Sequence, residues 1–354
     1  MYVVHGVHGD YVVYQVGGVY KCTCMAGSFD RSCKHISQLL DEIGRGVRMP
    51  QPISSAKPKT AYHSSLPELD EVFGASYNSD VIVSIHGKPG VGKSLFALWE
   101  CGNVVKQGGC FLYVDTEGGF KSMAEKWWPV LSKSLGVKDG GFVETCKTLE
   151  RLHEFLGYRT EIVWVKDKLE FRIRESLEKP EIDEFIKANN VTFVVVDSVS
   201  MPVATAINEE QQNRPARFTA TALIMGKLAE LQERYGVCVL TIHHSSWNPA
   251  NPYETFAQMR GGKIVHHFSK HVLYMDMRGK NELRNFRRLW IGRAEDTGKW
   301  GDVVFFSISD KGIMPVGREV GYEAGLLTDN ELEYVRDNER WRRVLSEKRQ
   351  RRGA

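Results

Sequence analysis

Apolar residues gather along this chain in short continuous runs separated by longer amphipathic stretches. Val81–Ile85, Cys110–Val114, Val191–Val196 and Val237–Ile242 carry almost no polar interruption. Runs of four to eight apolar residues, too short for buried helices, are the pattern of strands covered on both faces. Helix-like segments lie between them, so the alternation predicts an α/β fold with a mostly parallel twisted sheet covered by helices. Before the first run, the segment from Gly44 to Ser65 is dense in Gly, Pro, Ser and Lys, shows neither periodicity, and reads as a linker. The expected organisation is a small module over 1–45, a linker over 46–62, a core over 63–330 and a basic tail over 331–354. The tail reads as a helix with one solvated face, its basic end available to phosphate.

The first strand leads into Gly87-Lys88-Pro89-Gly90-Val91-Gly92-Lys93-Ser94, and a helix-forming run, Leu95–Glu100, follows. Strand, glycine-rich loop and helix in that order form a phosphate-binding loop. The glycines let backbone N–H groups turn toward an anionic chain, Lys93 supplies a point charge for the outer phosphates, and the Ser94 hydroxyl can ligate magnesium. ATP or GTP is the implied ligand. Asp197 ends the Val191 run, where its carboxylate can hold the same magnesium directly or through water. Glu117, in Asp115-Thr116-Glu117-Gly118-Gly119 after the Cys110 run, is a candidate base for the attacking water. His243 closes the Val237 run and is a candidate contact for the terminal phosphate.

The charge balance, 47 basic against 44 acidic residues, demands no polyanionic partner by itself. No apolar run approaches the roughly twenty residues of a membrane span, and no secretory leader pattern opens the sequence, so a cytoplasmic protein is expected. Seven cysteines are an odd number for a disulfide framework. Cys22, Cys24, Cys33 and His35 instead give three thiols and an imidazole in one short segment, the ligand set of a closed zinc site that would fold a module too small for its own core. Cys101, Cys110, Cys146 and Cys238 lie in apolar surroundings and read as core.

The spacing Cys-x-Cys-x8-Cys-x-His, with strand-like runs before it and Ile36–Ile43 after it, resembles a SWIM-type zinc finger. Such fingers occur in DNA-associated and in protein-interaction settings. A second resemblance covers most of the chain, from about Ser64 to Gly317. SSLPELDEVFG, GKPGVGKS, YVDTEGGF, FVVVDSVS, VCVLTIHHSS, GGKIVHH and VFFSISDKGI occur in the order found in RecA/RadA-type recombinase ATPases, archaeal RadA and its paralogues above all. The resemblance implies that Glu117 activates the hydrolytic water. It also implies that His243 stands where the family has a γ-phosphate sensor, usually glutamine. It further implies DNA-holding loops over Met201–Arg217 and His244–Lys263. Arg214 and Arg217 would neutralise phosphates in the first loop; Trp247, Phe256, Arg260 and Lys263 would stack on bases or meet backbone in the second. A zinc module stands where RadA has a helical domain, and no Phe-x-x-Ala polymerisation segment is found in the linker, where Ile53–Ala56 is the nearest substitute.

The resulting expectation is an ATP-, magnesium- and zinc-dependent protein of recombination or repair that binds single-stranded DNA, hydrolyses ATP slowly and can associate with a RadA-type recombinase. The alternative is a nucleotide-controlled protein-interaction module with little DNA contact.

Overall fold

The computed structural model describes residues 2–6, 9–16, 19–22, 60–165, 168–207, 213–246, 258–259, 262–277, 281–294 and 301–352. The chain divides into two compact units, Met1–Lys57 and Pro58–Ala354. In the first, β1 (Tyr2–Gly6), β2 (Gly9–Val16) and β3 (Val19–Cys22) form an antiparallel sheet in that order. Cys22 ends β3, and Cys24, Cys33 and His35 lie outside the described residues.

The second unit opens with β4 (Ala61–Tyr62), α1 (Pro67–Phe73) and β5 (Tyr77–Asn78). It continues with β6 (Ile82–Gly87), α2 (Lys93–Lys106), β7 (Phe111–Asp115), α3 (Phe120–Leu135), β8 (Gly141–Thr145) and α4 (Leu149–Phe155). A hairpin of β9 (Tyr158–Val165) and β10 (Lys168–Ser176) precedes α5 (Glu181–Asn189), β11 (Phe193–Asp197), α6 (Ser200–Ala206), α7 (Arg214–Tyr235) and β12 (Cys238–Ser246). Then come β13 (Gln258–Met259), α8 (Gly262–Phe268), β14 (Ser269–Asp276), β15 (Phe286–Ala294), β16 (Val303–Ser309), β17 (Gly312–Val316), α9 (Arg318–Glu323) and α10 (Asp329–Arg352). No helix among the described residues is long and apolar enough to cross a membrane.

The four apolar runs become neighbours or near neighbours in one sheet of order β17-β16-β15-β14-β6-β12-β11-β7-β8. From β14 to β8 every pairing is parallel, and β15, β16 and β17 extend the sheet antiparallel. This is the expected α/β architecture: a large, mostly parallel sheet flanked by helices. β6, β7 and β11 are buried at every position because helices cover both faces. Alternation along each strand feeds two cores. Val83, Ile85, Tyr113, Val195 and Ile242 meet Phe96, Leu98 and Trp99 of α2 on one face. Ile82, Val114, Val196 and Val239 meet Ile224 and Leu228 of α7 and Val265 of α8 on the other.

Two features depart from the sequence expectation. The stretch between β8 and β11 holds a hairpin as well as helices, because Tyr158, Ile162, Leu169 and Phe171 line one side of it and pack on the α7 face of the molecule. The two expected DNA loops are also shorter than read. Arg214 and Arg217 lie in the first turn of α7, begun by Pro215 and carried on by Ala216 and Ala220, residues that favour a helix start and interior. His244 and Ser245 still belong to β12, and Lys263 belongs to α8. Trp247, Phe256 and Arg260 lie outside the described residues.

Candidate functional site

The phosphate loop sits between β6 and α2 at the carboxyl edge of the sheet. Two of its glycines are required by geometry. A Cβ on Gly87 would stand 2.2 Å from the Met275 carbonyl oxygen, and Gly92 has φ +102°, a left-handed conformation that costs a side-chain-bearing residue. Lys93 is almost fully buried, and its Nζ donates to the carbonyl oxygens of Gly87 (2.9 Å) and Lys88 (3.0 Å). Burial pulls the Lys93 ammonium below its ordinary range, while Asp197 and Glu117 oppose that shift. A cation folded onto loop carbonyls has donors to offer an anionic ligand in their place.

Asp197 ends β11 at the same edge and is also buried. Its Oδ2 accepts a 2.6 Å hydrogen bond from the Tyr113 hydroxyl, and the nearby Ser94 hydroxyl also favours the ionised carboxylate. Burial nevertheless raises the Asp197 carboxyl above its usual range, the cost of desolvating an anion that two hydroxyls only partly offset. The residues present therefore fit a divalent cation: hydroxyl and carboxylate oxygens side by side, the carboxylate lacking sufficient positive charge.

Glu117 is carried on a turn that the preceding residues build. Asp115 Oδ1 accepts from the amides of Glu117 (3.1 Å) and Gly118 (2.8 Å), and Oδ2 accepts from that of Phe120 (3.1 Å). Asp115 is thus a structural residue whose carboxylate is consumed by the turn. Thr116 latches the turn to the end of β11: its hydroxyl donates to the Ser198 carbonyl (2.8 Å) and accepts from the Ser198 amide (2.7 Å). Glu117 itself is exposed. Its Oε1 accepts from Ser198 Oγ (2.9 Å) and lies 2.7 Å from His244 Nε2. The His244 contact, joined by Ser198, holds the Glu117 carboxyl below the usual range against the opposing effect of partial desolvation. Neither contact uses Oε2, so a carboxylate oxygen is left to accept from water.

His243 does not reach this site. Strand alternation sends it to the opposite face of the sheet, beside His86 on β6. It is fully buried there, Nε2 shares a 3.0 Å hydrogen bond with Thr241 Oγ1, and Nδ1 meets no hydrogen-bond partner among the described residues. Burial pushes it down to about 3, so it is a neutral ring in the pH range of the cell. The histidine that faces the phosphate loop is His244, paired in register with Gly87, and its amide donates to Ser200 Oγ (2.9 Å). The sequence reading missed that position, and it missed Ser198, Tyr113 and Arg287. Arg287, from β15, donates Nε to the Val91 carbonyl at 2.6 Å and braces the loop from the antiparallel side of the sheet. The strict period of two along β12 carried the signal for His244; nothing local marked Arg287.

A family model described as an AAA domain matches residues 56–250, more than half of the chain. The chain belongs to this AAA-domain family. Membership implies ATP and magnesium, in accord with the donor set around Lys93, Ser94 and Asp197. Among the described residues no cluster of His, Cys, Asp and Glu would hold a metal ion by itself, and three of the four residues expected to hold zinc lie outside them.

Curated relatives extend the comparison beyond the matched domain. The DNA repair and recombination protein RadB of Methanobrevibacter smithii is 24% identical over 254 residues, 70% of this chain and 92% of its own length. RadB of Methanosphaera stadtmanae is 20% identical over 252 residues, again 70% and 92%. RadB of Methanococcoides burtonii is 23% identical over 235 residues, 66% of this chain and 90% of the relative.

Proposed function

We propose that this chain is an ATP-dependent DNA-binding protein of recombination and repair, akin to the RadB relatives, in which ATP and magnesium control binding of single-stranded DNA and slow hydrolysis ends it. The observation that carries the reading is the convergence of four elements on one edge of the sheet. Lys93 and Ser94 come from α2, Asp197 from β11, Glu117 from the turn after β7, and His244 from the strand that runs toward the second expected DNA loop.

Lys93, Ser94 and the loop amides from Gly87 to Gly92 would hold the phosphates of ATP, and Ser94 with Asp197 would hold magnesium. Magnesium, when bound, neutralises charge on the phosphates. Glu117, kept ionised by its neighbours, accepts the proton of the attacking water through Oε2, a role worth roughly 10²–10⁴ in rate. Lys93 gives up the carbonyls of Gly87 and Lys88 for phosphate oxygens. His244 replaces His243 in the proposed phosphate-sensing role, because it already touches Glu117 and continues into the segment that precedes Trp247. Arg214 and Arg217 at the start of α7, with Trp247, Phe256, Arg260 and Lys263, would supply the DNA contacts. Cys22, Cys24, Cys33 and His35 would hold zinc in the N-terminal unit, and a RadA-type recombinase is the natural protein partner for such a paralogue.

The deciding experiment is fluorescence-anisotropy titration of a labelled single-stranded oligonucleotide with the zinc-loaded chain, with and without ATP and magnesium, beside Lys93→Ala. Binding should strengthen with ATP in the native chain and lose that response in the variant. Binding indifferent to ATP, or none, rejects the reading.

A further inference from the structure

The β9–β10 hairpin is not explained by the nucleotide site. One side of it is apolar and packs on the α7 face of the molecule through Tyr158, Ile162, Leu169 and Phe171. Its other side is closed by ion pairs: Arg159 with Glu175 (2.7 Å), Arg172 with Glu170 (2.7 Å) and Arg174 with Glu161. Every acid in these pairs is matched, so they leave little net field. At the far end of the apolar side, however, packing stops. Trp164 is 65% exposed, the most exposed of the large apolar side chains among the described residues.

Where Trp164 lies follows from register and one hydrogen bond. It is the cross-strand partner of Leu169, and the Leu169 amide donates to Asn213 Oδ1 at 3.0 Å. Asn213 is the residue immediately before α7. The hairpin end is therefore tied to the point where the first expected DNA loop enters its helix. On that helix Phe218 is 53% exposed, one turn from the exposed Arg214. Residues four apart share a helix face, so the outer surface of the first turn presents an aromatic ring beside a guanidinium.

Two bare aromatic side chains near the start of α7, where Arg214 is exposed, are poorly accounted for by folding, since exposing them gives up the burial free energy of a large apolar side chain. Single-strand binding surfaces combine a cationic track for the backbone with aromatic faces on which bases stack. We propose that Trp164 of the hairpin and Phe218 of α7 are stacking platforms for unpaired bases, extending the DNA surface from the two loops onto an element of the fold outside them. This inference rests on the reading of the chain as a single-strand binder and names two ring contacts for it. Because each ring is tethered to ordered secondary structure, it is present before DNA arrives and saves the ordering cost a loop aromatic would carry.

The test separates stacking from other roles by varying the ligand. The full zinc-loaded chain, with ATP and magnesium, is titrated into oligothymidine and into an abasic strand of the same length, beside Trp164→Ala, Phe218→Ala and Trp164→Phe. Each alanine variant should weaken oligothymidine binding about 5- to 150-fold, the equivalent of about 1–3 kcal/mol per stacked base, and leave the abasic strand unchanged, while Trp164→Phe retains most of the affinity. Urea midpoints equal to that of the native chain certify the fold. Unchanged oligothymidine affinity, or equal losses on both strands, overturns the proposal and leaves the hairpin end to a protein partner. A native chain that binds neither strand with ATP overturns the underlying reading as well, whereas native binding with indifferent variants overturns this inference alone.

Discussion

At the carboxyl end of β12, one peptide bond separates two environments. His244 belongs to the face that carries the phosphate loop, meets Glu117 at 2.7 Å and stays partly accessible. His243 belongs to the other face, next to His86, in a strip where Ser84 Oγ lies 2.6 Å from both Thr241 Oγ1 and Ser269 Oγ. The first face gathers charge: Lys93, Asp197 and Glu117. Around His243 and His86 the second presents hydroxyls instead, and both rings are pushed down to about 3 by burial. The same residue type one position apart thus contacts Glu117 on one face and packs in the core on the other, and the alternation of the strand makes the assignment.

The largest effect that would break this division lies on the charged face. Glu117→Gln keeps the turn built by Asp115 and Thr116 but removes the proton acceptor. Hydrolysis in a steady-state phosphate-release assay should fall by about 10²–10⁴, with nucleotide affinity within a few-fold of native. Full turnover in the variant would take Glu117 out of the reaction and leave the two faces without a catalytic distinction.

The packing face should answer to stability instead. His243→Ala removes a fully buried ring and should cost about 2 kcal/mol or more by urea unfolding, with hydrolysis per folded molecule unchanged. Its pH signature has a definite sign. His243 and His86 are held near 3 in the folded state and titrate near 6.5 when unfolded, so the unfolded chain binds more protons between those values. Their contribution is present above about pH 6.5 and is lost as pH falls toward 3, by up to about 1.4 kcal/mol per pH unit for each ring. His243→Ala should flatten that slope; a slope identical to the native chain's would mean His243 is not buried in neutral form.

Glu100 gives a slope in a different window. It is fully buried on α2, accepts from the Ser65 amide (3.1 Å) and from Ser64 Oγ (3.2 Å), and is pushed up to about 7 by burial. The folded chain keeps this proton after the unfolded chain has lost it, so stability falls as pH rises from about 4.5 to 7. Glu100→Gln should therefore be more stable than the native chain at pH 8, by about 1–3 kcal/mol, and indistinguishable from it near pH 4.5. A destabilised variant at pH 8 would show that the Ser64 and Ser65 bonds outweigh desolvation.

What could be read from the sequence divides along a related line. The phosphate loop, Asp197 and the parallel strands were legible because their signals are local: fixed spacing within eight residues, or a continuous apolar run ended by an acid. The choice between His243 and His244 was not, because both follow the same run and only the pairing of β12 with β6 sets which one faces Gly87. Arg287 was invisible for a stronger reason, since it approaches Val91 across 196 residues of chain. The hairpin carried a local signal that the sequence reading passed over: Leu169, Phe171 and Ile173 alternate with Glu170, Arg172 and Arg174, the period of a strand with one charged side. Trp164 and Phe218 look like core residues in sequence, and their exposure is a property of the assembled fold.

The smallest predicted effect tests the link between Glu117 and the segment after β12 proposed to hold DNA. His244→Ala removes the Nε2 contact to Glu117 and leaves Ser198 as the remaining side-chain donor to Oε1. Because the carboxylate keeps its turn and its free oxygen, hydrolysis should drop only about tenfold, the scale of one charge-assisted hydrogen bond. His244→Gln restores a donor without a titrating ring and should recover most of that loss. The informative measurement is the stimulation of hydrolysis by oligothymidine. If His244 couples the second loop to Glu117, the alanine variant loses the stimulation as well as the basal rate, and glutamine returns both. If the histidine only steadies Glu117, both variants keep the native fold-stimulation, and the path from DNA to the phosphate loop must run through Ser198 and α6 instead.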